Sequence, residues 1–178
     1  MRLFLAIFPP ESVRLEILKL QQILKDRITR QGVRFTYPDK IHLTLAFLGD
    51  RCSPEDAIER ATPLLAPLTS PDMQVSGLGC FPSEVRPKTI WLGVKSAEIQ
   101  TLGQALNQEF ESGDEAFAPH VTLVRVSPAS QAVGRLLRPL GPQFQSDLSW
   151  IADKVDLVST LGDGRYETLS RFPLRENS

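Results

Sequence analysis

The sequence predicts an α+β fold of two similar lobes, with antiparallel or mixed sheets lining a central groove and helices on the outer faces. Three observations carry that expectation. Short runs that alternate like strands are interleaved with segments whose apolar residues recur at three and four. The halves echo each other: each holds a strand, a long helix, a strand bearing His-x-Thr-x, and then a shorter helix opened by Ser-Pro. Those two tetrapeptides, His42-Leu43-Thr44-Leu45 and His120-Val121-Thr122-Leu123, use both histidines of the chain.

The elements follow in order. Residues 2–8 alternate as a strand, with Leu3, Leu5 and Ile7 on one face, and Pro9-Pro10 stops it. Glu11 to about Asp26 is an amphipathic helix, its stripe made by Val13, Ile17, Leu20 and Leu24. After Gly32, residues 33–37 read as a strand closed by Pro38, and Asp39-Lys40 leads into the first motif strand, closed by Gly49-Asp50. Ser53-Pro54-Glu55 opens a helix to about Leu65, with serine as N-cap and proline at N1. Residues 72–81 and 89–94 are strands around a turn at 83–87. Ala97 to about Glu111 is a helix ended by Gly113-Asp114, and a loop leads to the second motif strand. Ser127-Pro128 then predicts a helix to about Leu137, followed by strands at 148–150, 154–160 and 165–174 with a hairpin turn at Gly162-Asp163-Gly164. No segment reads as a linker, so residues 1–178 are expected to form one domain.

Composition narrows the function classes. Hydrophobic content is 42% and charged content 23%, ordinary for a globular chain. No apolar run approaches the roughly 20 residues a membrane helix requires. The apolar start reads as a first strand, because it lacks a small-residue cleavage site. Cys52 and Cys80 are too few for a disulfide framework, which points to a reducing cytoplasm. A net charge of −1 argues against coating nucleic acid by bulk electrostatics, but leaves room for gripping one RNA end with a few arginines.

Side chains on a strand alternate faces, so His42 shares a face with Thr44, and His120 with Thr122. One His-x-Thr is an ordinary strand sequence; two copies that use every histidine point to chemistry. An imidazole titrates near pH 6.5, so one neutral ring can accept a proton while one protonated ring donates. That division of labour serves in-line displacement at phosphorus, with threonine hydroxyls donating to the non-bridging oxygens. Two histidines are too few for most zinc sites, and neither a Gly-x-Ser-x-Gly elbow nor a P-loop is present. No metal or cofactor is therefore expected. Arg125 is a further phosphate ligand by type, but strict alternation sets it on the face opposite His120. Arg86 and Lys88 read as a solvated turn, and Phe35, Tyr37 and Phe81 as core residues that have the chemistry to stack a base.

These motifs resemble the 2H phosphoesterase superfamily, specifically the bacterial and archaeal RNA 2′,3′-cyclic phosphodiesterases, also called 2′-5′ RNA ligases (the LigT-like group). The resemblance rests on Arg2 to Ile7, His42 to Gly49, Arg86 to Val94, and Pro119 to Leu123 with Arg125. It implies a bilobal, pseudo-two-fold fold and the opening of an RNA 2′,3′-cyclic phosphate to a 2′-phosphomonoester. It further implies that His42 is the proton donor, that His120 is the proton acceptor, and that Thr44, Thr122 and Arg125 bind the phosphate. The implied partners are RNA or oligonucleotide ends, with neither a membrane nor an obligatory protein partner. Two rival readings stay open: a non-catalytic module that binds a nucleotide or RNA end, and a phosphodiesterase for a small cyclic phosphodiester.

Overall fold

The computed structural model describes residues 2–28, 32–112 and 117–176. In chain order the elements are β1 (Arg2–Ile7), α1 (Glu11–Arg27), β2 (Val33–Phe35), β3 (Leu43–Gly49), α2 (Pro54–Leu65), β4 (Asp72–Phe81), β5 (Thr89–Lys95), α3 (Ala97–Glu109), β6 (His120–Val126), α4 (Leu137–Leu140), β7 (Ser149–Ile151), β8 (Lys154–Thr160) and β9 (Tyr166–Pro173). The fold is α+β. The strands form one sheet in the order β7-β4-β5-β6-β3-β1-β8-β9, with β2 also on β6, and every strand pairing is antiparallel.

The centre of that order decides where a groove lies. β3 and β6 meet at one register pair, Leu43 with Val121, and beyond it β2 takes over the edge of β6 along Val124 to Val126. The motif strands therefore splay apart on either side of a single contact, with β7, β4, β5, β6 and β2 in one half of the sheet and β3, β1, β8 and β9 in the other. One face of the sheet carries the main core, against which α1 buries Val13, Ile17 and Leu24 and α3 buries Ile99, Leu102 and Leu106. Full burial of one such side chain contributes roughly 1.5–3 kcal/mol. The opposite face carries a small second cluster: Phe4, Ala6 and Val158, flanked by Phe8 and Tyr166.

Local sequence explains the element ends. Ser53 Oγ accepts from the Asp56 amide at 3.1 Å, the cap expected for α2. Gly164, at φ +82°, closes the hairpin between β8 and β9, with its amide on the Leu161 carbonyl. The segment after Ser127 departs from expectation. It runs as 3-10 helix over Pro128–Leu136, a four-residue α4, and 3-10 helix again over Gly141–Phe144. Ser127 makes no capping bond, and Pro139 and Pro142 remove two backbone donors that an α-helix would use. The strand expected over 33–37 stops at Phe35, and α3 closes at Glu109; Gly113 and Asp114 lie outside the described residues. No helix among the described residues is long and apolar enough to cross a membrane.

Candidate active site

Leu43 and Val121 are both fully buried on the core face. The residues flanking them along their strands must point the other way. Thus His42, Thr44, His120 and Thr122, all half-buried, surround that one pair on the groove face. Two backbone carbonyls fix the rings. His42 Nδ1 lies 2.7 Å from the Lys40 carbonyl, and His120 Nδ1 lies 2.7 Å from the Ala118 carbonyl. A carbonyl only accepts, so Nδ1 carries the proton in both rings and Nε2 is the nitrogen left for chemistry. His42 Nε2 accepts from the Thr44 hydroxyl at 3.0 Å.

Aromatic walls hold both rings. Phe4, Phe8 and Tyr166 stand 5.2, 5.4 and 5.5 Å from the His42 ring, centroid to centroid. Phe81 and Trp91 stand 5.1 and 5.7 Å from the His120 ring. The Trp91 indole lies over Gly79, where a Cβ would come within 2.2 Å of it, so only glycine admits that packing. Desolvation by these walls pushes the His42 pKa down to about 4; the charges of Arg125 and His120 press the same way, and the Lys40 carbonyl opposes them.

Arg125 reaches this face, against strict alternation. Along β5 and β6, Trp91 pairs with Thr122 and Ile90 with Val124, so Leu123 opposes no residue of β5. This β-bulge turns two consecutive side chains, Leu123 and Val124, into the core and returns Arg125 to the face of His120 and Thr122. Its charge is felt by both His42 and Tyr166. The first motif repeats the device: Ala6 pairs with Thr44 and Leu5 with Ala46, so Leu45 is the extra residue and Leu45 and Ala46 are both buried. Phe47, 59% exposed, then holds the place in β3 that Arg125 holds in β6, five residues beyond its histidine.

A family model described as the 2′-5′ RNA ligase superfamily matches residues 9–164. The chain belongs to the 2′-5′ RNA ligase superfamily. Relatives in this superfamily include the RNA 2′,3′-cyclic phosphodiesterase of Thermus thermophilus, 32% identical over 98% of this chain and 91% of its own length. Those of Archaeoglobus fulgidus, at 30% over 78% and 80%, and Escherichia coli, at 33% over 74% and 74%, carry the same name. Among solved structures, the Thermus thermophilus protein TT0787 superposes with a TM-score of 0.73 at 26% identity over the whole of both chains. Escherichia coli LigT, crystallised with 3′-AMP, gives 0.67 at 26% over 97% of this chain and 96% of its own.

Residues outside the two motifs hold this superfamily member's motif strands in place. Each bulge frees a leucine carbonyl, and each is met by a buried carboxamide. Gln21 Nε2 of α1 donates to the Leu123 carbonyl at 3.0 Å and to the Thr36 carbonyl at 2.9 Å, while the Thr36 amide donates to Leu123 at 2.9 Å. Asn107 Nδ2 of α3 donates to the Leu45 carbonyl at 2.7 Å and to Gly103 at 2.6 Å, and its Oδ1 accepts from Ser112. Sequence reading missed both; the available signal was a polar residue set among the buried positions of each helix. Lys40 was also missed: its Nζ donates to the Gly164 carbonyl at 2.6 Å and lies over the rings of Tyr37 and Tyr166. Two aromatic expectations are corrected. Tyr37 is 62% and Phe81 38% exposed, because both sit at the groove and not in the core; Phe35 does pack on the core.

Proposed function

We propose that the chain is an RNA 2′,3′-cyclic phosphodiesterase, opening a terminal cyclic phosphate to a 2′-phosphomonoester by two-histidine acid–base catalysis without a metal ion. The observation that carries this reading is the set of four side chains, His42, Thr44, His120 and Thr122, on one face around the Leu43–Val121 pair. In the proposed step His120 Nε2 takes a proton from water. The water oxygen bonds to phosphorus and the bond from phosphorus to O3′ breaks. His42 Nε2 delivers a proton to O3′, leaving a 3′-hydroxyl. Thr44, Thr122 and Arg125 hold the non-bridging oxygens, where negative charge gathers. The cyclic phosphate is itself an anion, so its arrival raises the low His42 pKa and loads the donor only when substrate is present.

The relatives' shared name supports the RNA end as substrate, and the two matching halves of the sheet support one domain of two similar lobes over residues 1–178. The superfamily's description supports the reverse reaction too, joining a 2′-phosphate-type end to a 5′-hydroxyl. Both cysteines are free thiols, in keeping with a cytoplasmic site of action.

The test is incubation with a nucleoside 2′,3′-cyclic phosphate in excess chelator, with the product isomer identified. A 2′-monophosphate is expected. A 3′-monophosphate would overturn the assignment of O3′ as leaving group, and dependence on added divalent metal would overturn the metal-free chemistry. Binding without turnover would favour the non-catalytic module.

A further inference from the structure

Arg34 sits in β2 directly opposite Arg125 of β6. Directly opposed residues of an antiparallel pair share a face, with Cβ atoms roughly 4.5–5.5 Å apart. Val33 and Phe35, the chain neighbours of Arg34, pack on the core, so Arg34 points to the groove side and is exposed. The row continues across the sheet from Arg125 to Thr89 and from Thr89 to Phe81. Like charges directly opposite each other destabilise a strand pair. An acidic side chain would relieve them, as Glu109 does for Arg60 and Asp163 for Arg165. Among the described residues neither Arg34 nor Arg125 has an ion pair or a side-chain hydrogen bond. Two unneutralised guanidinium groups opposite each other across β2 and β6, one of them within electrostatic reach of His42, suit a ligand with two successive negative charges.

We infer that Arg34 binds a second phosphate: the internucleotide phosphate on the 5′ side of the terminal nucleotide, next to the terminal phosphate held by Arg125. The inference rests on the phosphodiesterase reading for which phosphate is terminal. It makes the preferred substrate an oligonucleotide end rather than a mononucleotide. Arginine suits this position because its planar fork meets phosphate oxygens with two parallel hydrogen bonds.

The test compares equilibrium affinities for adenosine 2′-monophosphate and for the dinucleotide ApA carrying a 2′-terminal phosphate, in the wild-type chain and in Arg34→Ala. The wild type should favour the dinucleotide. Arg34→Ala should cut that ratio by roughly tenfold, the scale of one charge-assisted hydrogen bond. The plot of log affinity for the dinucleotide against log salt should become shallower by roughly 0.7, one single-strand phosphate contact. Arg34→Lys should restore the slope but only part of the ratio. Arg125→Ala should weaken both ligands alike. An unchanged ratio and slope in Arg34→Ala would overturn the inference and leave Arg34 as a charge that keeps the short strand β2 soluble. Turnover of the two corresponding cyclic phosphates is scored separately. If the affinity ratio shifts but neither is hydrolysed, the second phosphate site stands and the phosphodiesterase reading falls.

Discussion

At the scale of single residues, the site is two imidazoles with the same tautomer and different surroundings. Their proton-carrying Nδ1 atoms are tied to carbonyls two residues back in the chain, a constraint that ring identity alone does not reveal. His42→Ala and His120→Ala should each lose roughly 10²–10⁴ in kcat while keeping wild-type circular dichroism. Thr44→Ala and Thr122→Ala should cost about 2–4 kcal/mol of transition-state stabilisation each, as donors to developing charge do. The depressed His42 pKa adds two pH effects. A bound anion raises it, so the break set by loss of the His42 proton should lie at higher pH in kcat than in kcat/KM, which reports the free enzyme. Stability follows from linkage. The unfolded imidazole binds its proton near pH 6.5 and the folded one near 4, so the unfolded state holds more protons between those values. Stability should therefore fall as pH drops through that window, by up to about 3 kcal/mol, and His42→Asn should flatten that part of a urea-midpoint profile. The histidine and threonine positions were legible in the sequence because alternation on a strand needs no tertiary information. The walls around the rings were not, since Phe4, Phe8, Tyr166, Phe81 and Trp91 come from four different strands or their ends.

At the scale of elements, the bulges decide what the motif strands present. Without Leu123 as an extra residue, Arg125 would point into the core and Val124 into the groove. Nothing in the run Val121-Thr122-Leu123-Val124 announces a bulge: no glycine marks it and every residue favours strand. What meets it lies elsewhere in the chain, in the carboxamide of Gln21, just as the carboxamide of Asn107 meets the bulge at Leu45. Gln21→Leu should leave the Leu123 carbonyl without its side-chain donor and cost about 1–3 kcal/mol in stability. It should also raise KM for phosphate-bearing substrate as Arg125 loses its fixed aim, an effect that a loss of stability alone would not produce. Gln21→Glu, which keeps the shape but replaces the donor with an acceptor, should behave no better than leucine, as seen in Michaelis constants measured well below the melting temperature. Asn107→Leu should act in the same way on β3 and Thr44. The strand and helix order was read correctly from periodicity over most of the chain. It failed after Ser127, where Ser-Pro mimics a helix start but two later prolines withhold the donors.

On the scale of the whole molecule, the sheet joins its halves by one residue pair, yet the chain crosses that junction repeatedly. The helix preceding the first motif restrains the second motif, and the helix preceding the second restrains the first. β1 lies between β3 and β8, and β2 abandons its own motif strand for β6. Internal echoes in the sequence suggested two lobes; they gave no hint that each lobe borrows from the other. Nicking the backbone between Leu65 and Asp72 would produce fragments that each own one motif strand and the wrong clamp for it. Separately expressed, each should stay unfolded by circular dichroism, and mixing them should recover hydrolysis; a folded, stable fragment would contradict the crossed arrangement. By the same reasoning, two identical half-length chains would have to trade helices to build such a groove, and so would form it as a swapped dimer.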